Sequence, residues 1–74
     1  MKTLNDIKIG QSAKVIDVSG NAALRRHILD MGVTKGTDVT IKKAAPLGDP
    51  IQISVRGYEL SLRRDDAKLI SVEA

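Results

Sequence analysis

Two runs of alternating apolar and polar residues, joined by only two residues, constrain the fold of this chain more than any other feature. Residues 51–55 carry isoleucine or valine at every second position, and residues 58–62 repeat the alternation with tyrosine and leucine. Period-two alternation is typical of β-strands with one buried and one solvated face. Because Arg56-Gly57 is too short for a crossover connection, the two runs are expected to pair as an antiparallel hairpin.

Three further segments carry strand patterns. Residues 37–43 alternate in the same way, residues 13–18 place apolar side chains on both faces, and residues 70–72 predict a last short strand. Apolar residues on both faces are typical of a strand at a barrel corner. The sequence therefore predicts five short strands. Its 74 residues fit one domain that spans residues 1–74.

One helix is predicted after the first of these strands. Leu24, Ile28 and Met31 lie at i, i+4 and i+7, so they share one apolar stripe. Asn21 has the short polar side chain of an N-cap, and Gly32 suits the left-handed conformation that often ends a helix. We expect a helix of about three turns between Asn21 and Met31.

Two single helical turns are predicted towards the ends of the chain. Leu4 and Ile7 lie three residues apart, which predicts one short turn within residues 3–9. Residues 63–69 predict a second short turn, in which Asp65 has the side chain expected of an N-cap.

A small half-open antiparallel barrel lets these strands bury their apolar faces. A flat sheet of short strands would leave one face uncovered, whereas a curled sheet covers its own inner side chains. The helix would close one open side through its apolar stripe. An open sheet with the helix packed on one face is the alternative. The side chains expected to face inward are Val15, Val39, Ile41, Ile51, Ile53, Val55, Leu60, Leu62 and Val72.

The composition gives little support to catalysis or to a structural metal. The chain has no cysteine and one histidine, which excludes disulfide bridges and argues against the usual structural zinc sites. His27 lies on the predicted helix with no serine at helical spacing, so a histidine-activated nucleophile is not expected. No G-x-x-x-x-G-K motif is present, and we expect the chain neither to bind nor to hydrolyse GTP unaided. An enzyme is therefore not expected.

His27 and Asp30 are the candidate pair for a metal ion. They lie three residues apart on the predicted helix, and hard or borderline divalent ions such as iron or manganese accept imidazole and carboxylate ligands. The alternative is that Asp30 faces solvent or pairs with Arg26, four residues earlier.

Charge and hydropathy argue against a nucleic-acid partner and against membrane insertion. The net charge is +3 and the pI is near 9.5, but basic and acidic residues are mixed along the sequence. Tyr58 is the only aromatic residue, so no platform for stacking bases is available. No apolar run approaches the roughly 18 residues of a transmembrane helix, and residues 1–10 lack the apolar stretch of a signal peptide. We therefore expect a cytoplasmic location.

A Pro-Leu-Gly-Asp-Pro segment that begins at Pro46 holds both prolines of the chain. Pro46 fixes φ for the second position of a turn, and Gly48 tolerates a positive φ. Pro50 holds Asp49 extended. The turn is therefore stiff and presents Leu47 in one place. This side chain either folds back onto the core or serves as a preordered apolar contact, which loses little entropy on docking.

Three stretches of the sequence together resemble the FeoA family: RRHILDMGVTKGTDV, APLGDPIQISVRG and LSLRRDDAKLISVE. The resemblance covers nearly the whole chain, including the leading TLNDIKIGQSAKV. It implies an SH3-like barrel. It also implies an accessory or regulatory role in bacterial ferrous iron uptake, beside FeoB, a membrane permease with a GTPase domain. It supplies no set of metal ligands.

If the chain has no chemistry of its own, its function must be contact with a partner. We expect the contacts with the FeoB-type permease to involve Arg25, Leu29, Leu47 and Asp49, of which Leu29 points away from the helix stripe. No cofactor is expected. Direct binding or sensing of Fe²⁺, with weak affinity, is the alternative function, and nucleic-acid binding is a distant third.

Overall fold

The computed structural model describes residues 2–73, which form one sheet of six strands with short helices between them. The strands are β1 (Lys2–Thr3), β2 (Ser12–Val18), β3 (Asp38–Ala44), β4 (Ile51–Val55), β5 (Tyr58–Leu62) and β6 (Ile70–Glu73). The helices are α1 (Ala22–Asp30), α2 (Arg64–Ala67) and a 3₁₀ helix over Leu4–Asp6. Among residues 2–73, no helix has the length and apolar character needed to span a bilayer.

All pairs of neighbouring strands are antiparallel, in the order β1-β6-β2-β3-β4-β5. β6 lies between β1 and β2, so both ends of the described chain meet in the same half of the sheet. This arrangement confirms the predicted mainly antiparallel β-fold with one longer helix after the first long strand. Periodicity predicts five strands and misses β1, because a strand of two residues carries no periodic pattern.

The β4–β5 hairpin forms as its two-residue loop predicts. Arg56 and Gly57 have φ angles of +50° and +87°. Positive φ at both central positions is the type I′ geometry, whose twist matches that of the flanking strands. Arg56 Nη2 donates to the Thr34 and Thr37 hydroxyls at 3.2 and 3.3 Å. The arginine thereby fastens the hairpin to the loop between α1 and β3.

The core lies on the inner face of the sheet. Every side chain predicted to face inward is buried except Leu60, which is partly buried and packs at the core margin. From the helices of the described chain, only Leu4, Ile28 and Ala67 join the buried set. The strands therefore cover one another's inner side chains, as a curled sheet does. The other buried apolar residues are Ile7, Ala13, Val18, Val33 and Ile70.

An extra residue in β2 explains why this strand carries apolar residues on both faces. The pairing of β2 with β6 shifts register between Val15 and Asp17, which makes Ile16 a bulge residue. Ile16 is 37% exposed, whereas Val15 and Val18 are both buried. Simple alternation from Val15 would turn Val18 outward, and the bulge returns it to the core face.

Gly32 allows the tyrosine of β5 to close the end of α1. The Tyr58 hydroxyl donates to the Met31 carbonyl oxygen at 2.7 Å. This bond satisfies one of the carbonyl groups left without a partner at the C-terminus of a helix. Gly32 has a φ of +94°, and a Cβ added there would overlap the Tyr58 hydroxyl oxygen. The position therefore requires glycine for both its backbone conformation and its contact.

We expect Gly32→Ala to lower the free energy of unfolding by about 2–3 kcal/mol. Left-handed strain contributes about 1–2 kcal/mol, and loss of the tyrosine hydrogen bond about 1 kcal/mol. Gly36→Ala is the matched control, because Gly36 has a φ of +87° but no atom within 4 Å of an added Cβ. The control should show the strain alone in a urea melt. Equal losses in the two variants would show that the Tyr58 contact adds no stability.

Candidate functional site

The connection between β3 and β4 is a tight turn closed by two backbone hydrogen bonds. The Gly48 N–H donates to the Ala45 carbonyl at 2.7 Å, and the Ala45 N–H donates to the Pro50 carbonyl at 2.9 Å. Pro46 stands at the second position and Leu47 at the third. Gly48 takes the fourth position with a φ of +88°. The positive φ falls on glycine, so Leu47 needs no left-handed conformation.

Leu47 projects from the tip of this turn into solvent. It is 97% exposed, more than any other large apolar residue in the described part of the chain, where Ile9 follows at 60%. The alternative in which Leu47 folds back onto the core is therefore wrong. Single exposed apolar residues are common on protein surfaces. This one stands on a backbone that two prolines and two hydrogen bonds hold in place.

Arg64, the first residue of α2, fastens the turn to the rest of the protein. Its backbone N–H donates to Asp49 Oδ1 at 3.0 Å, and its Nε donates to the Gly48 carbonyl oxygen. Its Nη1 donates to Asn5 Oδ1 in the 3₁₀ helix at 3.1 Å. The prediction that Asp65 caps α2 is wrong, because Asp65 lies inside the helix and Asp49 accepts the first helical N–H instead.

A groove of about 270 Å³ lies beside the turn. Gln52 and Ser61 contribute polar groups to its lining. Among the residues near the tip in sequence, the lining includes Ala45, Pro46, Pro50 and the charged Lys43. We call Leu47 together with these four residues the turn surface. It combines a projecting apolar side chain with a shallow groove at its base.

Arg25 and Leu29 lie on a second surface, on α1. With Arg26 and Asp30 they line a shallow depression of about 310 Å³. Arg25 Nε donates to the Val18 carbonyl at 3.0 Å and so ties α1 to the end of β2. Leu29 is half-buried and packs against the core. We therefore expect Leu29→Ala to lower the free energy of unfolding and also to weaken any contact that Leu29 makes with a partner.

The four predicted contact residues fall into two pairs. Arg25 and Leu29 share the α1 depression, whereas Leu47 and Asp49 share the turn. Arg64 is not among these four predicted residues. No local signal identifies it, because its hydrogen-bond partners Asp49 and Asn5 lie 15 and 59 residues away in the sequence.

The predicted metal pair lies on the outer side of α1. His27 and Asp30 are both exposed. Within residues 2–73, no group of three or more His, Cys, Asp or Glu side chains is placed to hold a metal ion. Among residues 2–73, an ion pair joins Asp65 Oδ1 and Lys68 Nζ at 3.7 Å, and it involves neither His27 nor Asp30.

The sequence matches a known domain family and a curated relative. The profile of the FeoA domain family matches residues 2–74. A Porphyromonas gingivalis protein described as an Fe(2+) transport protein A/Fe(2+) transporter FeoB fusion protein is 39% identical over 70 residues. The match covers 95% of this chain but 8% of that relative, so this chain corresponds to a small part of the fusion protein.

Solved structures share the fold along nearly the whole chain. The FeoA-like protein from Clostridium acetobutylicum is 46% identical with a TM-score of 0.89, and the match covers 96% of this chain and 83% of that one. FeoA from Stenotrophomonas maltophilia, solved with zinc and described as an SH3 domain protein, is 28% identical with a TM-score of 0.85. That match covers 99% of this chain and 91% of that one, and it confirms the expected SH3-like barrel. The chain belongs to the FeoA domain family.

Proposed function

We propose that this protein is an accessory and regulatory component of bacterial ferrous iron uptake, which acts by contact with a FeoB-type permease and its GTPase domain. Family membership and the fusion of the two proteins in P. gingivalis support this partner. Fusion places two domains at a high effective concentration, which favours pairs that work in contact. The proposed role is cytoplasmic and requires neither catalysis nor a resident cofactor.

The observation that carries this proposal is the exposure of Leu47 on a fixed turn. Fully burying a leucine side chain gains about 1.5–3 kcal/mol. A mobile loop would lose part of that gain to the cost of ordering its backbone. The prolines and hydrogen bonds of this turn order it before binding, so the complex keeps most of the gain.

The turn surface defines what the partner must offer. Leu47 enters an apolar pocket, and the Lys43 ammonium at the edge of the groove pairs with a carboxylate beside that pocket. Asp49 contributes by holding the turn, since its Oδ1 accepts the Arg64 N–H. Arg25 and Leu29 on α1 form a separate second contact.

Regulation requires that the protein bind two states of the permease with different affinities, because a ligand shifts an equilibrium only by its differential affinity. The test is a calorimetric titration of the full-length permease in lipid nanodiscs, loaded with GDP or with a non-hydrolysable GTP analogue. We expect saturable binding in both cases and at least a fivefold difference in dissociation constant, typical of allosteric coupling. If the protein binds neither the GDP-loaded permease nor the permease loaded with the GTP analogue, the proposed partner is refuted.

Direct binding or sensing of Fe²⁺ is the second candidate function, favoured by the zinc complex of the S. maltophilia relative. For the isolated chain we expect an Fe²⁺ dissociation constant no tighter than roughly 10–100 µM. The reason is that His27 and Asp30 supply two ligands, and no larger group assembles within residues 2–73. Anaerobic calorimetry measures this affinity, with His27→Ala as the control. A stoichiometric, sub-micromolar isotherm that disappears in His27→Ala would favour metal binding instead.

A further inference from the structure

Arg64 bridges the tip of the turn surface to the barrel. We infer that Arg64 is the positioning residue of this surface, because its side chain holds the Leu47 tip in the orientation that enters the partner. The inference rests on the proposed function, since it concerns the same partner. Arg64 lies outside the turn, and it sets the affinity of the Leu47 contact without touching the partner.

Arg64 reaches the turn through two independent donors. Its backbone N–H donates to Asp49 Oδ1 at 3.0 Å, and its Nε donates to the Gly48 carbonyl oxygen. Gly48 and Asp49 directly follow Leu47, so both bonds act on the segment that leaves the tip. The bond from the Ala45 N–H to the Pro50 carbonyl continues the β3–β4 ladder and places the base of the turn, whereas the two Arg64 bonds hold the residues that follow the tip.

The arginine is itself anchored to elements that are fixed in the core. Its Nη1 donates to Asn5 Oδ1 at 3.1 Å, and the preceding residue, Leu4, is fully buried. Arg64 begins α2, whose Ala67 is also fully buried. One half-buried side chain therefore connects an exposed tip to two rigid parts of the fold.

A guanidinium suits this junction because it presents several donors in one rigid plane. Hydrogen bonds from a charged donor are also stronger than those between neutral groups. Lysine carries its charge on a flexible stem and does not hold the Gly48 carbonyl and Asn5 Oδ1 in one fixed geometry. Arg64→Lys therefore keeps the charge and the backbone bond to Asp49, and loses the two guanidinium bonds to Gly48 and Asn5.

The first test needs no partner. In both Arg64→Ala and Arg64→Lys, NMR should show faster solvent exchange of the Gly48 N–H and a lower order parameter for the Leu47 methyl groups. Arg63→Ala should change neither, because Arg63 is an exposed neighbouring arginine whose side chain makes no capping hydrogen bond. Unchanged exchange and unchanged methyl order in the two Arg64 variants would overturn the inference.

The second test measures affinity for the full-length permease in nanodiscs. Arg64→Ala and Arg64→Lys should each weaken binding about tenfold, a loss typical of a residue that matters at an interface. Because Arg64 acts through Leu47, adding Arg64→Ala to Leu47→Ala should cause no further loss. Additive losses would show that Arg64 touches the partner directly and would overturn positioning as its role.

The two tests separate this inference from the proposed function. If Leu47→Ala binds the permease as tightly as the wild type, the proposed docking function fails. The exchange and methyl-order data still decide whether Arg64 positions the tip. Arg64→Lys keeps the test decisive if Arg64→Ala does not fold.

Discussion

Replacing Ile53 with alanine should lower the free energy of unfolding by about 2–5 kcal/mol. Ile53 lies in the middle of β4, pairs with Ile41 on one side and Leu60 on the other, and is 0% exposed. Strands on both sides restrict collapse around the deleted side chain, so a cavity remains. Small domains are stable by only about 5–15 kcal/mol, and a urea melt should show a large shift of the midpoint.

Leu62 and Leu47 allow a buried leucine to be compared with an exposed one. Leu62 is 2% exposed in β5, whereas Leu47 is 97% exposed, and alanine removes the same atoms from both. We expect Leu62→Ala to behave like Ile53→Ala in the melt. Leu47→Ala should change the free energy of unfolding by no more than about 0.5 kcal/mol, as surface substitutions usually do. If Leu47→Ala unfolds the protein as readily as Leu62→Ala, the turn belongs to the core and its docking role must be dropped.

The second large effect concerns binding. Leu47→Ala should weaken the interaction with the FeoB-type permease at least tenfold, because truncating an apolar anchor often costs about 2 kcal/mol or more of binding free energy. Calorimetric titration of the permease in nanodiscs measures this loss. Leu24→Ala should show the opposite weighting, since Leu24 packs against the core from α1 and lies outside the turn surface. Leu24→Ala should lower the free energy of unfolding by more than it lowers the free energy of binding to the permease.

Local sequence patterns predict the elements that are determined by residues close together in the sequence. The two-residue loop predicts the hairpin because type I′ geometry depends on Arg56 and Gly57 alone. Asn21 accepts the Leu24 N–H at 2.9 Å, and α1 begins where this N-cap predicts. The inward residues follow from strand alternation, since a small curled sheet has one inner face to fill.

Other features escape local patterns because they depend on residues that are distant in sequence. β1 becomes a strand only by pairing with β6, and the bulge at Ile16 appears only against the register of β6. The bond from Tyr58 to Met31 spans 27 residues, and the Arg64 bond to Asn5 spans 59. For the candidate site, sequence predicts the turn and its leucine. It predicts neither the direction of the leucine nor the arginine that holds the turn.

The most direct test of the docking role compares Leu47→Ala with Ile9→Ala in a titration of the full-length permease. Ile9 is the matched control, because it is also an exposed apolar residue, at 60%, and lies outside the turn surface. Both variants should keep the unfolding midpoint of the wild type. We predict that Ile9→Ala retains the wild-type dissociation constant and that Leu47→Ala raises it at least tenfold, about 1.4 kcal/mol or more. Equal affinities for wild type, Ile9→Ala and Leu47→Ala would contradict the docking role of the turn.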